Sequence, residues 1–149
     1  MKKSALFFLI LSLTGIAMKS LAQISPHSDH VALYVKDLDK SEAFYRDVMQ
    51  LAIIPEPFHD GKHVWFRTGE HSQLHIILGA KEVMPHDINS HFAYSVPDLN
   101  VFMKHLDGMH IKYGNWSGAK IVQARPDGVK QIYFQDPDNY WIEVNDDKF

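Results

Sequence analysis

Two histidines stand at the same place in a segment that the sequence uses twice. His30 and His91 each open a short apolar run that ends in valine, and one residue later an Asp-Leu pair follows. Neutral imidazole is a common metal ligand, and it also exchanges a proton near neutral pH. A repeat of this kind predicts two modules of similar structure. Each module would then carry one histidine at an equivalent position.

The segment around each histidine predicts a strand followed by a helix. The strand His30–Val35 is rich in β-branched and aromatic residues, and Asp37 is a typical N-cap for a helix over Leu38–Gln50. In the second copy, a strand over His91–Val96 precedes a helix over Leu99–Gly108. Further segments of strand character, three after each helix, cover residues 51–57, 62–68, 73–78, 111–116, 129–135 and 140–144. The predicted fold class is therefore α+β, with two βαβββ modules.

The start of the chain has the composition of a secretory signal peptide. A basic head at Met1–Lys3 precedes an apolar run over Ala5–Ala17, and Ser20 and Ala22 are small residues where a signal peptidase reads the chain. The apolar run is shorter than the roughly 20 residues that span a bilayer. We therefore expect residues 1–22 to be removed, the protein to be exported to the periplasm, and no membrane attachment after cleavage. The rest, residues 23–149, is expected to be one domain, with modules over about 29–79 and about 90–146.

The charge balance and the cysteine count exclude some classes of function. The 149 residues contain 15 basic and 18 acidic side chains, a formal net charge of −3, and the leader holds three of the lysines. An acidic mature chain argues against binding to nucleic acid or to an anionic membrane surface. Because there is no cysteine, an exported protein of this sequence depends on packing, or on a metal, instead of disulfides.

Four segments together carry a resemblance to a known family. They are Asp29–Val35, Phe44–Leu51, His91–Leu99 and, most specifically, Ile132–Val144 with its Asp-Pro-Asp-Asn turn. The sequence resembles the vicinal oxygen chelate superfamily, which includes glyoxalase I, methylmalonyl-CoA epimerase, extradiol dioxygenases, and fosfomycin and bleomycin resistance proteins. The resemblance covers nearly all of the mature chain. It implies two βαβββ modules whose curved mixed sheets surround one divalent metal ion.

The candidate metal ligands are His30, His75, His91 and Glu143. Side chains alternate between the two faces of a strand, so each of these residues can reach a shared cup only if the sheets curve around a common centre. Three imidazoles and one carboxylate suit Zn, Ni, Fe, Mn or Co. Glyoxalase I and the epimerase commonly have Glu or Gln at the position of His75, so His75 is either a fourth ligand or a group behind the ligands. Glu143 is also the candidate catalytic base.

Three functions agree with this ligand set, and all involve a small molecule. The first is a metal-dependent lyase or isomerase of the glyoxalase type, whose substrate chelates the metal through vicinal oxygens. The second is an extradiol-type dioxygenase, because His30, His91 and Glu143 alone form a two-His-one-carboxylate triad for non-haem Fe(II). The third is a non-catalytic protein that binds an antibiotic or another small molecule. We expect a homodimer, with the metal held either within one chain or between two.

Overall fold

Each half of the chain folds into one strand, a helix and three further strands. The computed structural model of the protein describes residues 26–148. The first module contains β1 (His30–Val35), α1 (Leu38–Ala43), β2 (Ala52–Ile54), β3 (His63–Arg67) and β4 (Gln73–Leu78). The second module contains β5 (His91–Ser95), α2 (Leu99–Gly108), β6 (Gln123–Ala124), β7 (Lys130–Gln135) and β8 (Trp141–Asn145). The prediction of two βαβββ modules in the α+β class is confirmed.

The strands of each module form a four-stranded mixed sheet. The strand order is β1-β4-β3-β2 in the first sheet and β5-β8-β7-β6 in the second. The opening strand of each module pairs in parallel with the last strand, and the other pairs are antiparallel. Each sheet therefore ends on the strand that begins with one of the two repeated histidines. A narrow cavity of about 180 Å³ is lined by residues of both edge strands, β1 and β5.

The helices begin where the sequence predicts. The Asp37 carboxylate accepts a hydrogen bond from the backbone N–H of Lys40, and Asp98 accepts one from Asn100 and another from Val101. These side chains satisfy N–H groups that have no partner in the first turn of a helix. The apolar residues of the strands and of both helices share one buried cluster. The other face of each sheet is free to carry polar residues.

The first helix does not continue to Gln50 as predicted. The α-helix ends at Ala43, and Phe44–Val48 forms a turn of π-helix. The wider turn allows Phe44, Tyr45 and Val48 all to be buried. Gln50 then adopts a positive φ of 56°, which ends the helical segment. Pairing in β2 stops at Ile54, immediately before the first of two prolines.

The strand predicted over residues 111–116 is wrong. This segment makes only an isolated bridge, in which Gly114 and Tyr133 exchange two backbone hydrogen bonds of 3.0 and 2.8 Å. The chain then turns back, because the Asn115 side chain accepts hydrogen bonds from the N–H of Ser117 and of Ala119. The strand between α2 and the last hairpin is the two-residue β6. The second module therefore still has four strands, but β6 lies later in the chain than the strand predicted over residues 111–116.

The predicted signal peptide, with its cleavage site after Ala22, lies outside the described residues. Within residues 26–148, neither helix has the length and apolar character that crossing a membrane requires.

Candidate metal centre

The four predicted ligands occupy equivalent places in the two modules. His30 opens β1 and His91 opens β5, whereas His75 lies within β4 and Glu143 within β8. In the parallel pairs, His75 is directly opposite Ala32, and Glu143 is directly opposite Ala93. An alanine at this point leaves room above the sheet for the histidine at the start of the strand to approach the residue on the neighbouring strand.

In the second module, His91 and Glu143 form a close pair. The Nε2 atom of His91 lies 3.3 Å from Oε2 of Glu143, and Nδ1 of His91 donates a 2.7 Å hydrogen bond to the carbonyl of Ile88. The hydrogen bond at Nδ1 fixes the orientation of the ring and leaves Nε2 directed at the carboxylate. Metal-binding histidines typically have such a partner on the second ring nitrogen.

In the first module, His30 and His75 form the corresponding pair. Nδ1 of His30 donates a 2.6 Å hydrogen bond to the carboxylate of Asp29, and Nε2 has no hydrogen-bond partner among residues 26–148. The ring of His75 stacks on that of His30, with centroids 4.2 Å apart and planes inclined by 13°. On its other face, the His75 ring stacks on Trp65 at 3.8 Å. Its Nε2 atom donates to the side chain of Gln73.

The protonation state of His75 is compatible with metal binding, but the orientation of its ring is less favourable for it. Burial, followed by the nearby charge of His30, lowers the pKa of His75, so the ring is neutral at pH 7. An imidazole nitrogen binds a metal in the plane of its ring. Two nearly parallel planes about 4 Å apart do not meet at a common ion. One of the two rings would have to turn before both could bind the same cation.

The geometry of the second pair fits a divalent ion. Two metal bonds of about 2.1 Å that meet at a right angle end about 3 Å apart. The 3.3 Å between His91 Nε2 and Glu143 Oε2 is close to this span. A nitrogen and a carboxylate oxygen are ligands that Zn and the neighbouring first-row metals accept. His91 and Glu143 therefore fit as two ligands of one metal ion.

The comparisons with known proteins identify the family. The family model for the glyoxalase, bleomycin resistance protein and dioxygenase superfamily matches residues 27–144. The chain belongs to this superfamily. Its members typically bind a divalent metal ion and small molecules, and they often form dimers. The resemblance expected from the four sequence segments is thus confirmed.

Solved structures of several superfamily proteins have the same fold as this chain. Lactoylglutathione lyase from Agrobacterium tumefaciens is 23% identical with a TM-score of 0.63, and 83% of this chain and 95% of that chain are covered. The fosfomycin resistance protein FosX from Listeria monocytogenes is 20% identical with a TM-score of 0.64, covering 82% and 93%. Oxidase ChaP-H2 is 17% identical with a TM-score of 0.68, covering 85% and 97%. At these identities the likeness shows the fold alone.

The two pairs of predicted ligands lie on different sheets of the described residues. His30 and His75 lie on the first sheet, and His91 and Glu143 lie on the second sheet. Residues 26–148 contain no group of three or more His, Asp or Glu side chains that could hold a metal ion. The members of each pair are therefore in contact, but the two pairs do not meet, and the four-ligand centre stays a prediction.

Sequence reasoning missed several groups around His91 and Glu143. The hydroxyl of Tyr133 donates a 2.7 Å hydrogen bond to Oε2 of Glu143, a contact that the sequence analysis does not predict. Asn145 donates a 2.7 Å hydrogen bond to the other carboxylate oxygen. Spacing alone indicates only the contact with Asn145, because Glu143 and Asn145 are two residues apart on one strand and share a face. Trp116 stacks edge-on against both His91 and Tyr133.

Proposed function

We propose that the protein is a metal-dependent lyase or isomerase of the glyoxalase type. His30, His91 and Glu143 would hold a divalent ion, with His75 as a fourth ligand once its ring turns, and a small substrate would chelate the same ion through two neighbouring oxygens. The observation that carries this proposal is the 3.3 Å separation of His91 Nε2 and Glu143 Oε2, with the second nitrogen of His91 fixed by Ile88. A bound divalent ion would act as a Lewis acid toward negative charge that develops on substrate oxygen.

The chain's own groups suit a transfer of a proton between adjacent carbons. Glu143 is the carboxylate of the site. Displaced from the ion when the substrate binds, it would accept the proton from one carbon and return it to the next, so the proton transfer needs no further reagent.

We further propose that two copies of the chain share the site, as a homodimer. The assembled pairs are on different sheets, and each sheet ends on the strand that bears its histidine. If His30 of one copy joins His91 and Glu143 of another, both copies are needed for each ion.

Metal analysis of the full chain purified from the periplasm is the first test. About one divalent ion per chain is expected in the native protein and in His71→Ala, a control whose ring is exposed. His91→Ala is expected to lose the ion. A native protein that folds normally and contains no metal would reject the proposal and leave the binding-protein alternative.

Mixing two inactive variants tests the shared site. In His30→Ala and in Glu143→Ala, every site lacks one ligand, so neither variant is expected to bind metal tightly. If the site is shared, a mixed dimer has one site that lacks both residues and one that is intact. Mixing after brief unfolding and refolding should therefore restore part of the metal binding. A site within one chain would give no restoration.

A second candidate function is an extradiol-type dioxygenase. The observation that favours it is the parallel stacking of His75 on His30, because it leaves His30, His91 and Glu143 as the ligands. Two histidines and one carboxylate are typical of non-haem Fe(II) oxygenases. Oxygen uptake by the Fe(II)-loaded protein with a catechol would support this function. Exchange of a substrate C–H for deuterium in D₂O, without oxygen uptake, would support the isomerase.

The export of the protein is also a proposal. The composition of residues 1–22 supports it. Cell fractionation followed by N-terminal sequencing should recover a chain that starts at Gln23 in the periplasm. An uncleaved chain in the cytosol would contradict it.

A further inference from the structure

Four buried polar side chains form a continuous hydrogen-bonded chain on one face of the second sheet. Gln131, Tyr133, Glu143 and Asn145 are only 3–6% exposed. Gln131 Nε2 donates a 2.6 Å hydrogen bond to the Tyr133 hydroxyl, and that hydroxyl donates one of 2.7 Å to Oε2 of Glu143. Asn145 donates one of 2.7 Å to Oε1. Both oxygens of the carboxylate are thus held by neutral donors.

The register of β7 and β8 creates this chain of contacts. Tyr133 lies directly opposite Glu143, and Gln131 lies directly opposite Asn145. Directly opposed side chains on neighbouring antiparallel strands are close enough to interact. The geometry of the hairpin therefore fixes the donors relative to the carboxylate.

The hydrophobic core does not account for these residues. Ile132, Phe134, Ile142 and Val144 point to the other face of the same two strands and are almost completely buried there. Burying polar groups is unfavourable unless they are hydrogen-bonded, and apolar side chains of similar size would be at least as stable at most such positions. A function for the polar face explains its composition better than packing does.

The hydrogen bonds from Tyr133 and Asn145 leave lone pairs of the Glu143 carboxylate unused. Each carboxylate oxygen can accept about two hydrogen bonds. Asn145 uses one position on Oε1, and Tyr133 uses one on Oε2. The remaining side of Oε2 lies 3.3 Å from His91 Nε2. The two donors therefore hold Glu143 with one oxygen turned to the place where a cation would join it to His91.

We propose that Tyr133 and Asn145 are positioning residues that hold Glu143 in its metal-binding orientation. This inference rests on the metal centre proposed above and goes beyond it, because it assigns roles to two residues outside the ligand set. Mutation of a residue that hydrogen-bonds to a metal ligand typically lowers metal affinity by about 10- to 100-fold. Neither residue contacts the metal itself in this proposal.

The test is the affinity of the full-length chain for Co²⁺, measured by competition with a coloured chelator. Tyr133→Phe removes only the hydroxyl, and its dissociation constant for Co²⁺ is expected to rise by about 10- to 100-fold. The visible absorption spectrum of the bound Co²⁺ should shift as well, because it depends on the ligand geometry. Tyr113→Phe is the matched control, since it removes an exposed hydroxyl that donates to Asp107 in the same module.

A second variant separates positioning from folding. Asn145→Ala removes the donor to the other oxygen, and it should also weaken Co²⁺ binding while the circular dichroism spectrum stays native. If Tyr133→Phe and Asn145→Ala both bind Co²⁺ within twofold of the native protein and give its spectrum, the positioning role is overturned and the metal centre stands. If the native protein itself fails to bind Co²⁺, the metal centre and the positioning role both fall.

Discussion

Tyr45, in the π-helical turn of the first module, donates a 2.7 Å hydrogen bond to Asp136 in the second module. Asp136 lies in the turn between β7 and β8, and both side chains are buried. Close by, Ser41 donates a 3.0 Å hydrogen bond to Asp138. The two modules are therefore joined by buried carboxylates as well as by apolar packing.

The pKa of Asp136 makes the stability of this junction depend on pH. Burial raises the pKa of Asp136 to about 6, although hydrogen bonds from Tyr45 and from two backbone N–H groups oppose the shift, and the charge of Asp138 adds to it. The folded protein thus holds a proton more tightly than the unfolded chain. The resulting stabilisation is complete below about pH 4, and it is lost as the pH rises through about 6.

The first prediction is that Asp136→Asn removes this pH dependence. The asparagine oxygen can keep the hydrogen bonds from the backbone of Asp138 and Tyr140, and it carries no charge. The variant should therefore gain stability relative to the native protein between pH 4 and pH 7. The difference between their free energies of unfolding should change by up to about 3 kcal/mol in favour of the variant. Urea denaturation at several pH values measures it.

An exposed aspartate provides the control for that experiment. Asp127 pairs with Arg125 at the surface, and this pairing lowers its pKa. Asp127→Asn should therefore show no change of relative stability between pH 4 and pH 7. A difference between native protein and Asp136→Asn that stays constant over this range would contradict the prediction.

The second prediction compares two tyrosine hydroxyls in different environments. Tyr45→Phe leaves the buried Asp136 carboxylate without its side-chain donor, and it should lower the free energy of unfolding by about 1–3 kcal/mol. Tyr113→Phe removes a 3.2 Å hydrogen bond to Asp107 at the surface, and it should change stability by less than about 0.5 kcal/mol. Equal losses in the two variants would show that the junction does not depend on this contact.

The fold was largely readable from local patterns. The strand that begins at each repeated histidine and the aspartate caps of the helices are determined by residues near each other in sequence. The course of the chain around Gly114 could not be predicted locally, because Ile111, Tyr113 and the neighbouring residues alternate as those of a strand do. Its course is decided by the Asn115 side chain, which bonds to the backbone beyond it.

The candidate ligands could be predicted from the sequence, but most of the contacts around them could not. His30 and His91 are marked by the repeat, and Glu143 by the motif of the last hairpin. The link of Tyr133 to Glu143 needs the register of that hairpin, and the stacking of His75 between Trp65 and His30 needs the packing of three strands. The bond from Tyr45 to Asp136 spans the two modules, and nothing in either local sequence indicates it.

The third prediction concerns Gly79, the residue that follows β4. Gly79 has a φ of +148°, and a Cβ atom there would lie 2.3 Å from the hydroxyl oxygen of Tyr34. Gly79→Ala should lower the free energy of unfolding by about 1–3 kcal/mol through backbone strain and this clash. In a Tyr34→Ala background the clash is absent, so the loss should be smaller.

A second glycine separates the two causes at Gly79. Gly61 also has a positive φ, of +69°, but a Cβ atom there would meet nothing within 4 Å. Gly61→Ala should therefore show a backbone cost that does not depend on Tyr34. If the loss in Gly79→Ala is the same with and without the Tyr34 ring, the clash contributes nothing.

The last prediction asks whether His75 binds the metal. Its ring is parallel to that of His30 and lies against Trp65, so a phenyl ring can replace it in the stack. If the stacked orientation persists when a cation is bound, His75→Phe keeps the packing and leaves the Co²⁺ dissociation constant within about threefold of the native value. His30→Phe, which also keeps a ring in the stack, should raise that constant by at least about 100-fold, because it removes a ligand. A loss of affinity in His75→Phe as large as in His30→Phe would instead establish His75 as the fourth ligand, and it would remove the observation that favours the dioxygenase.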